Sequence, residues 1–183
     1  MDNDKLNIIN EDDKIVGEEP REKIHREGLL HREIHVWFLT PEGELILQRR
    51  SKDVESCPNL LDATVGGHVE IGESYENTAL KEAREETGVE IDPKDLRLLR
   101  KMKKLTVDPV TGRINNTHRA QFVYRYDGQL SNLQIEKGKA TGFETWSLDK
   151  LLCLDEITRN KFVPGIANDK ELIKLLKKDY ENT

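Results

Sequence analysis

Residues 67–89 read GHVEIGESYENTALKEAREETGV, and this stretch decides how the chain is read. Two glycines, Gly67 and Gly88, bracket four carboxylates at Glu73, Glu82, Glu85 and Glu86. The spacing predicts a helix from Tyr75 to Thr87. Ser74 is placed as its N-cap with Asn77 at the third helical position, and Gly88 is placed to end it as a left-handed residue. Ala79, Leu80 and Ala83 form its apolar stripe. On such a helix Glu82 stands one turn from both Glu85 and Glu86, so all three share a face. Like charges at that separation repel. A hard divalent ion such as Mg2+ relieves the repulsion, because it prefers oxygen ligands.

Upstream of the helix, HREIHVWFLT (31–40) alternates, with Ile34, Val36 and Phe38 on one face and His35 and Trp37 on the other. That is strand periodicity. A turn at Pro41-Glu42-Gly43 leads to a return strand, Glu44 to Gln48. Leu6 to Asn10 and Lys14 to Gly17 suggest a hairpin around Glu11-Asp12-Asp13, and Arg21 to Arg26 reads as a polar connector. Lys52 to Asn59 reads as a loop, and Ala63 to Val65 as a brief strand running into Gly66-Gly67. Downstream, Leu96 to Val107 and Ala120 to Tyr126 are strands around a loop at 108–117. A further strand follows at Phe143 to Leu148, with a helical turn at Leu148 to Cys153. Lys170 to Tyr180 is an amphipathic C-terminal helix with Leu172, Leu175 and Leu176 on its buried side. Strands around a central helix, with a second helix at the end, predict an α+β fold with a mixed sheet between helices.

Composition sets bounds on function. A chain of 183 residues is expected to form a single domain, 1–183. A formal charge of −6 argues against extended nucleic acid, which needs a basic surface. It still permits a small phosphate compound if metal ions screen the site. Apolar residues make up 36% of the chain, but no apolar run approaches the ~18 residues of a membrane span. Two cysteines without motif spacing, Cys57 and Cys153, and an acidic, polar N-terminus fit a reducing cytoplasm.

Gly67, Glu73, Glu82, Ala83, Glu85, Glu86, Gly88 and Val89 fit the pattern G-x5-E-x7-R-E-U-x-E-E-x-G-U, where U is apolar. The segment resembles the Nudix box, with Lys81 standing where the box has arginine. The resemblance implies a Nudix fold, an α/β/α sandwich. It also implies Glu85 and Glu86 as main metal ligands, Glu82 as ligand or general base, and Glu73 as a support or a ligand of a further ion. The Gly67 carbonyl would complete the metal set of Gly67, Glu82, Glu85 and Glu86. The implied cofactor is Mg2+, with Mn2+ as a possible substitute. Cleaving a diphosphate needs neutralised phosphate oxygens and a metal-activated water, which such a carboxylate set supports. Lysine at 81 offers a point charge in place of a planar fork, so the exchange is not neutral. Arg49, Arg50, His68 and Lys81 are the candidate substrate-binding side chains, the arginines because they suit a phosphate.

Outside the box, GLLHREIHVWFLTPEGELILQRRS (28–51) and LLDATVGGHVEIGES (60–74) look like the isopentenyl-diphosphate isomerase-like branch of this superfamily. Those isomerases carry a cysteine just before the Gly-His of the loop, where this chain has Gly66. They also carry paired glutamates on a later strand, where this chain has Asn115 and Thr117. Their metal-binding histidines resemble His25, His31 and His68, whereas His35 and His118 are structural or unassigned. The expectation is therefore a hydrolase acting on a diphosphate joined to another moiety, such as a nucleoside. The alternatives are an isomerase-like enzyme and a non-catalytic diphosphate-binding domain. Loops at 50–60, 108–118 and 134–142 would set the substrate. The hairpin at 5–17 and the strands after the box are candidate surfaces for a homodimer.

Overall fold

The computed structural model describes residues 4–108 and 111–182. In chain order the elements are β1 (Lys5–Ile9), β2 (Ile15–Pro20), α1 (Arg21–Glu27), β3 (His31–Leu39), β4 (Glu44–Arg50), β5 (Leu61–Asp62) and β6 (Val65–His68). These lead to α2 (Tyr75–Thr87), β7 (Arg97–Val107), β8 (Ile114–Arg125) and β9 (Ala140–Ser147). The chain closes with α3 (Leu148–Leu152), α4 (Glu156–Arg159), α5 (Pro164–Ala167) and α6 (Lys170–Glu181).

β3 is the axis of the sheet. It runs parallel to β8 along its whole length, His31 opposite Thr117 through Leu39 opposite Arg125. Its other edge is shared. β6 pairs antiparallel with Glu33 to Val36, and β4 with Phe38 and Leu39. Where one partner gives way to the other, Thr64 fills the gap. The Phe38 N–H donates to Thr64 Oγ1 at 3.0 Å, and that hydroxyl donates to the Ile46 carbonyl. β7 extends the sheet from β8, β9 and β5 flank β4, and the β1–β2 hairpin reaches β3 at Ile8 and His31.

The side-chain alternation of β3 serves two cores, one on each face of the sheet. Ile34, Val36 and Phe38 pack with Ile46 and Val65 beneath Tyr75, Ala79 and Ala83 of α2. Trp37 and Leu39 pack with Leu45, Leu47 and Val123 beneath α3, α5 and α6. The α+β fold with a mixed sheet between helices is therefore the observed architecture. The box helix spans Tyr75–Thr87 as expected. Ser74 Oγ accepts from the Asn77 N–H at 3.1 Å, and Gly88 ends the helix at φ 72°.

Some expectations are corrected. The stretch 21–26 is not a connector but α1, which follows Pro20, ends at Gly28 (φ 67°) and buries Ile24. With one apolar anchor in seven residues it carries no readable period. The brief strand expected at 63–65 is two strands, β5 and β6, separated by Ala63 and Thr64. β8 begins at Ile114, inside the expected loop. Within that loop, Pro109 and Val110 lie outside the described residues. In α6 the buried residues are Leu172, Ile173 and Leu176, and Leu175 is only half-buried. α4 and α5 are single turns, too short to show periodicity.

Two glycines at positive φ make a paired test of backbone and packing. Gly72 (φ 85°) faces open space, so an added Cβ there costs only the left-handed backbone strain. Gly88 carries the same kind of strain, and its Cβ would also lie 2.6 Å from Gln134 Cδ. The Gln134 backbone is held there, its N–H bonded to the Thr87 carbonyl at 2.8 Å, but its exposed side chain is free to swing aside. In urea unfolding, Gly72→Ala and Gly88→Ala should each cost about 1 kcal/mol, with Gly88→Ala the costlier only by the rotamer freedom that Gln134 loses.

Candidate active site

The last turn of α2 points a carboxylate into the protein. Glu86 is 1% exposed. Gln48 of β4 donates to its Oε2 at 3.1 Å, and Lys139 donates to its Oε1. The same ammonium lies 3.8 Å from Glu82 Oε2 and 3.4 Å from Glu136 Oε2. Burial pushes the Glu86 carboxyl up to about 7, against the opposing pull of Lys139. Burial raises Glu82 as well, and the charge of Glu85 adds to the rise.

Gly67 lies directly against Glu82. A Cβ on Gly67 would sit 2.6 Å from Glu82 Cδ and Oε1, so any side chain there would displace the carboxylate. The structure thus brings Gly67, Glu82 and Glu86 together. Glu85 is exposed on the same helix, without an ion pair or hydrogen bond among the described residues. Glu73 is half-buried in the turn before α2, where its N–H donates to the Glu70 carbonyl at 3.1 Å. No hydrogen bond or ion pair joins its side chain to the other glutamates among the described residues. The donor set, carboxylate oxygens under a glycine backbone with an ammonium already among them, fits a hard divalent cation.

The candidate substrate-binding side chains are differently engaged. Lys81 donates to Glu70 at 2.7 Å, and among the described residues it makes no hydrogen bond to a box glutamate. Glu70 is more than half exposed, and such a pair stabilises by under about 1 kcal/mol. Arg49 donates to the Asn59 carbonyl at 2.9 Å and to Glu144 at 2.6 Å. Arg50 donates to the Ser56 carbonyl through two nitrogens and to Asp62 at 2.9 Å. Both arginines therefore brace the 51–60 loop against β4 and its neighbours.

His68 belongs to a second group. His25, His31 and His68 stack edge and face with ring centroids 5.0–5.1 Å apart, and their ligand nitrogens lie within 4.8 Å of one another. His31 Nδ1 lies 2.9 Å from the Leu29 carbonyl and His25 Nδ1 lies 3.3 Å from the Ile114 carbonyl. The buried Nε2 atoms of His31 and His68 have no hydrogen-bond partner. Nearby, Arg119 grips Glu33 Oε2 at 2.7–2.8 Å, while Thr117 and Asn115 also donate to that carboxylate. Burial alone would raise Glu33, but Arg119 holds it well below the usual carboxylate range.

Three of these residues escape sequence reading. Glu33 shares the polar phase of β3 with His31 and His35, which marks the phase but not the partner. Gln48 follows the apolar run Leu45 to Leu47 within β4. Lys139 lies 53 residues from Glu86 and carries no local signal.

The histidines set an acid limit on stability. Burial pushes His25, His31, His35 and His68 below the ordinary imidazole value, His35 to about 4. Between pH 6.5 and 4 the unfolded chain therefore binds protons that the folded protein refuses, so stability falls as pH falls. At 1.36 kcal/mol per unit, His35 alone should remove about 3 kcal/mol across that window. Denaturant melts at stepped pH check this, and His35→Gln should flatten the slope.

With this geometry in place, comparison with known proteins is direct. The NUDIX domain model matches residues 29–174. An uncharacterized Nudix hydrolase from Clostridium acetobutylicum is 26% identical over 98% of this chain and 90% of its own length. Other relatives, from Streptomyces coelicolor and Deinococcus radiodurans, align over about half of their own length. The crystal structure of the Deinococcus radiodurans protein DR0079 superposes with a TM-score of 0.70 at 27% identity, covering 95% of this chain and 98% of that one. The Nudix domain of Shewanella oneidensis NrtR, complexed with ADP ribose, shares the fold at a TM-score of 0.58 and 17% identity, covering 82% of this chain and 87% of its own. The matched domain, the relatives and the glutamates gathered under Gly67 agree, and the chain belongs to the Nudix hydrolase family.

Proposed function

We propose that the chain hydrolyses a diphosphate joined to another moiety, with nucleoside diphosphate derivatives as the substrate class. The observation that carries this reading is the convergence of Glu82 and Glu86 beneath Gly67 around a cation. Bound there, Mg2+ or Mn2+ would neutralise phosphate oxygens and make water acidic enough to attack at neutral pH. Glu86 is the held ligand, its second oxygen fixed by Gln48. Glu82, half-buried and raised in pKa, is placed to ligate or to take a proton from the attacking water. Glu85 offers a further carboxylate at the exposed rim, and Glu73 a support behind the loop. Arg49, more exposed than Arg50, is the better candidate for a substrate phosphate.

Isomerase chemistry is disfavoured by the absence of its proton carriers. A Cβ there would meet His35 only at an ordinary 3.4 Å, so packing does not exclude a side chain; the proton-carrying cysteine is simply absent. Asn115 and Thr117, in place of paired glutamates, donate to a Glu33 already neutralised by Arg119. The unpartnered Nε2 atoms of His31 and His68 favour one further element, a nitrogen-lined metal centre with His25 like that of the isomerases the chain resembles. No helix among the described residues is long and apolar enough to cross a membrane, and two free thiols suit a reducing cytoplasm.

A phosphate-release screen over nucleoside di- and triphosphates, nucleotide sugars including ADP-ribose, and isoprenoid diphosphates tests the reading, with Mg2+ and Mn2+ supplied separately. Cleavage of at least one nucleoside diphosphate derivative is expected, with no interconversion of isopentenyl and dimethylallyl diphosphates. Glu86→Gln should lower kcat by at least about 100-fold while the protein stays folded. Turnover near wild type in that variant would overturn the assignment.

A further inference from the structure

The ammonium of Lys139 stands where a metal ion would be needed. It reaches Glu86, Glu82 and Glu136 at once, and two of these are the proposed metal ligands. Its backbone is not free to wander. The Lys139 N–H donates to the Glu136 carbonyl at 3.2 Å, closing a turn that needs Gly138 at φ 88°. The Lys139 carbonyl accepts from the Ser51 N–H at 2.9 Å. Upstream, the Gln134 N–H is bonded to the Thr87 carbonyl at the end of α2. The turn therefore hangs across the C-terminal end of the box helix, pinned to α2 on one side and to the end of β4 on the other. The lysine backbone is held by these bonds, and the four-carbon stem carries the ammonium to the glutamates.

From this placement we infer that Lys139 is an intramolecular counter-cation, which holds the box carboxylates in the metal-free protein and which a divalent ion must displace to bind. The inference rests on the reading of Glu82 and Glu86 as metal ligands. Its physical basis is competition for the same oxygens. Lysine donates to Glu86 Oε1 while Gln48 occupies Oε2, so both oxygens of a 1% exposed carboxylate are already engaged. An incoming cation replaces one of these donors, and an ammonium is the one whose charge it makes redundant. The lysine thus stabilises the apoprotein and weakens metal binding by the same contact. A purely structural salt bridge, or a residue that props the ligands, would have the opposite sign, because its loss would weaken the metal.

Binding of Mn2+ alone, followed by loss of the free-ion spin-resonance signal, separates the cases without any substrate. Lys139→Met should lower the Mn2+ dissociation constant about tenfold, within the usual range of coupling between two competing ligands. It should also lower the melting temperature of the metal-free protein and enlarge the rise in melting temperature on adding Mn2+. Lys139→Gln, which keeps a donor without the charge and leaves a milder hole, should tighten Mn2+ in the same direction and serves if the methionine variant does not fold. Lys139→Arg should bind Mn2+ as the wild type does. Unchanged or weaker Mn2+ binding in the uncharged variants, or tightening in the arginine variant, overturns the inference. Glu86→Gln distinguishes the underlying reading: if it binds Mn2+ as well as the wild type, the carboxylates are not the ligands and the competition has no object.

Discussion

A carboxylate buried to 1% exposure cannot stay charged without a cation, and Glu86 is such a group. Removing one ion from water costs several kcal/mol even after relaxation. The surroundings of Glu86 are arranged to offset that cost. β4 supplies the Gln48 amide and the 134–140 segment supplies the Lys139 ammonium, while Glu82 on the preceding turn of α2 works against them, because its charge adds to the rise of Glu86. A fold that buried Glu86 merely for stability would do better with an apolar residue of the same size. The burial of Glu86 is what the proposed role as a metal ligand would call for.

That place depends on how β3 divides its edge. Pairing with β6 over Glu33 to Val36 brings the Gly66-Gly67 backbone beside α2, and pairing with β4 further along brings in Gln48. Thr64 makes the change of partner possible by satisfying the Phe38 N–H and the Ile46 carbonyl with one hydroxyl. Gly67 then meets Glu82 so closely that even a methyl group would not fit.

Consecutive strand residues project to opposite sides, so Gly67 serves the glutamates while His68 joins His25 and His31. Glu33, opposite His68 on β3, is locked to Arg119 of β8 and so is not free to act as an acid. One short strand therefore carries two polar clusters of different character. One is anionic and suited to a hard cation. The other is a set of neutral nitrogens beside a neutralised carboxylate. The buried imidazoles also tie the histidine side of the sheet to pH, because burial pushes each below its ordinary value and favours its unprotonated form in the fold.

The chain by itself determined what local hydrogen bonding and periodicity can encode. The limits of α2, its Ser74 cap, its Gly88 terminus and the shared face of Glu82 and Glu86 all follow from spacings of one helical turn. The two-sided burial of β3 follows from its alternation. The family pattern, the carboxylate set that suits a divalent ion and the glycine at 66 were legible for the same reason: each lies within a short run of residues. Tertiary structure alone decided the rest. Lys81 turned to Glu70 and not to a box glutamate, Arg49 and Arg50 became braces for a loop, α1 formed around a single buried isoleucine, and Lys139 reached Glu86 from 53 residues away. Those partners are set by which strands close against which. A flexible, charged side chain has no preference in its own sequence among the several opposite charges that folding brings within reach.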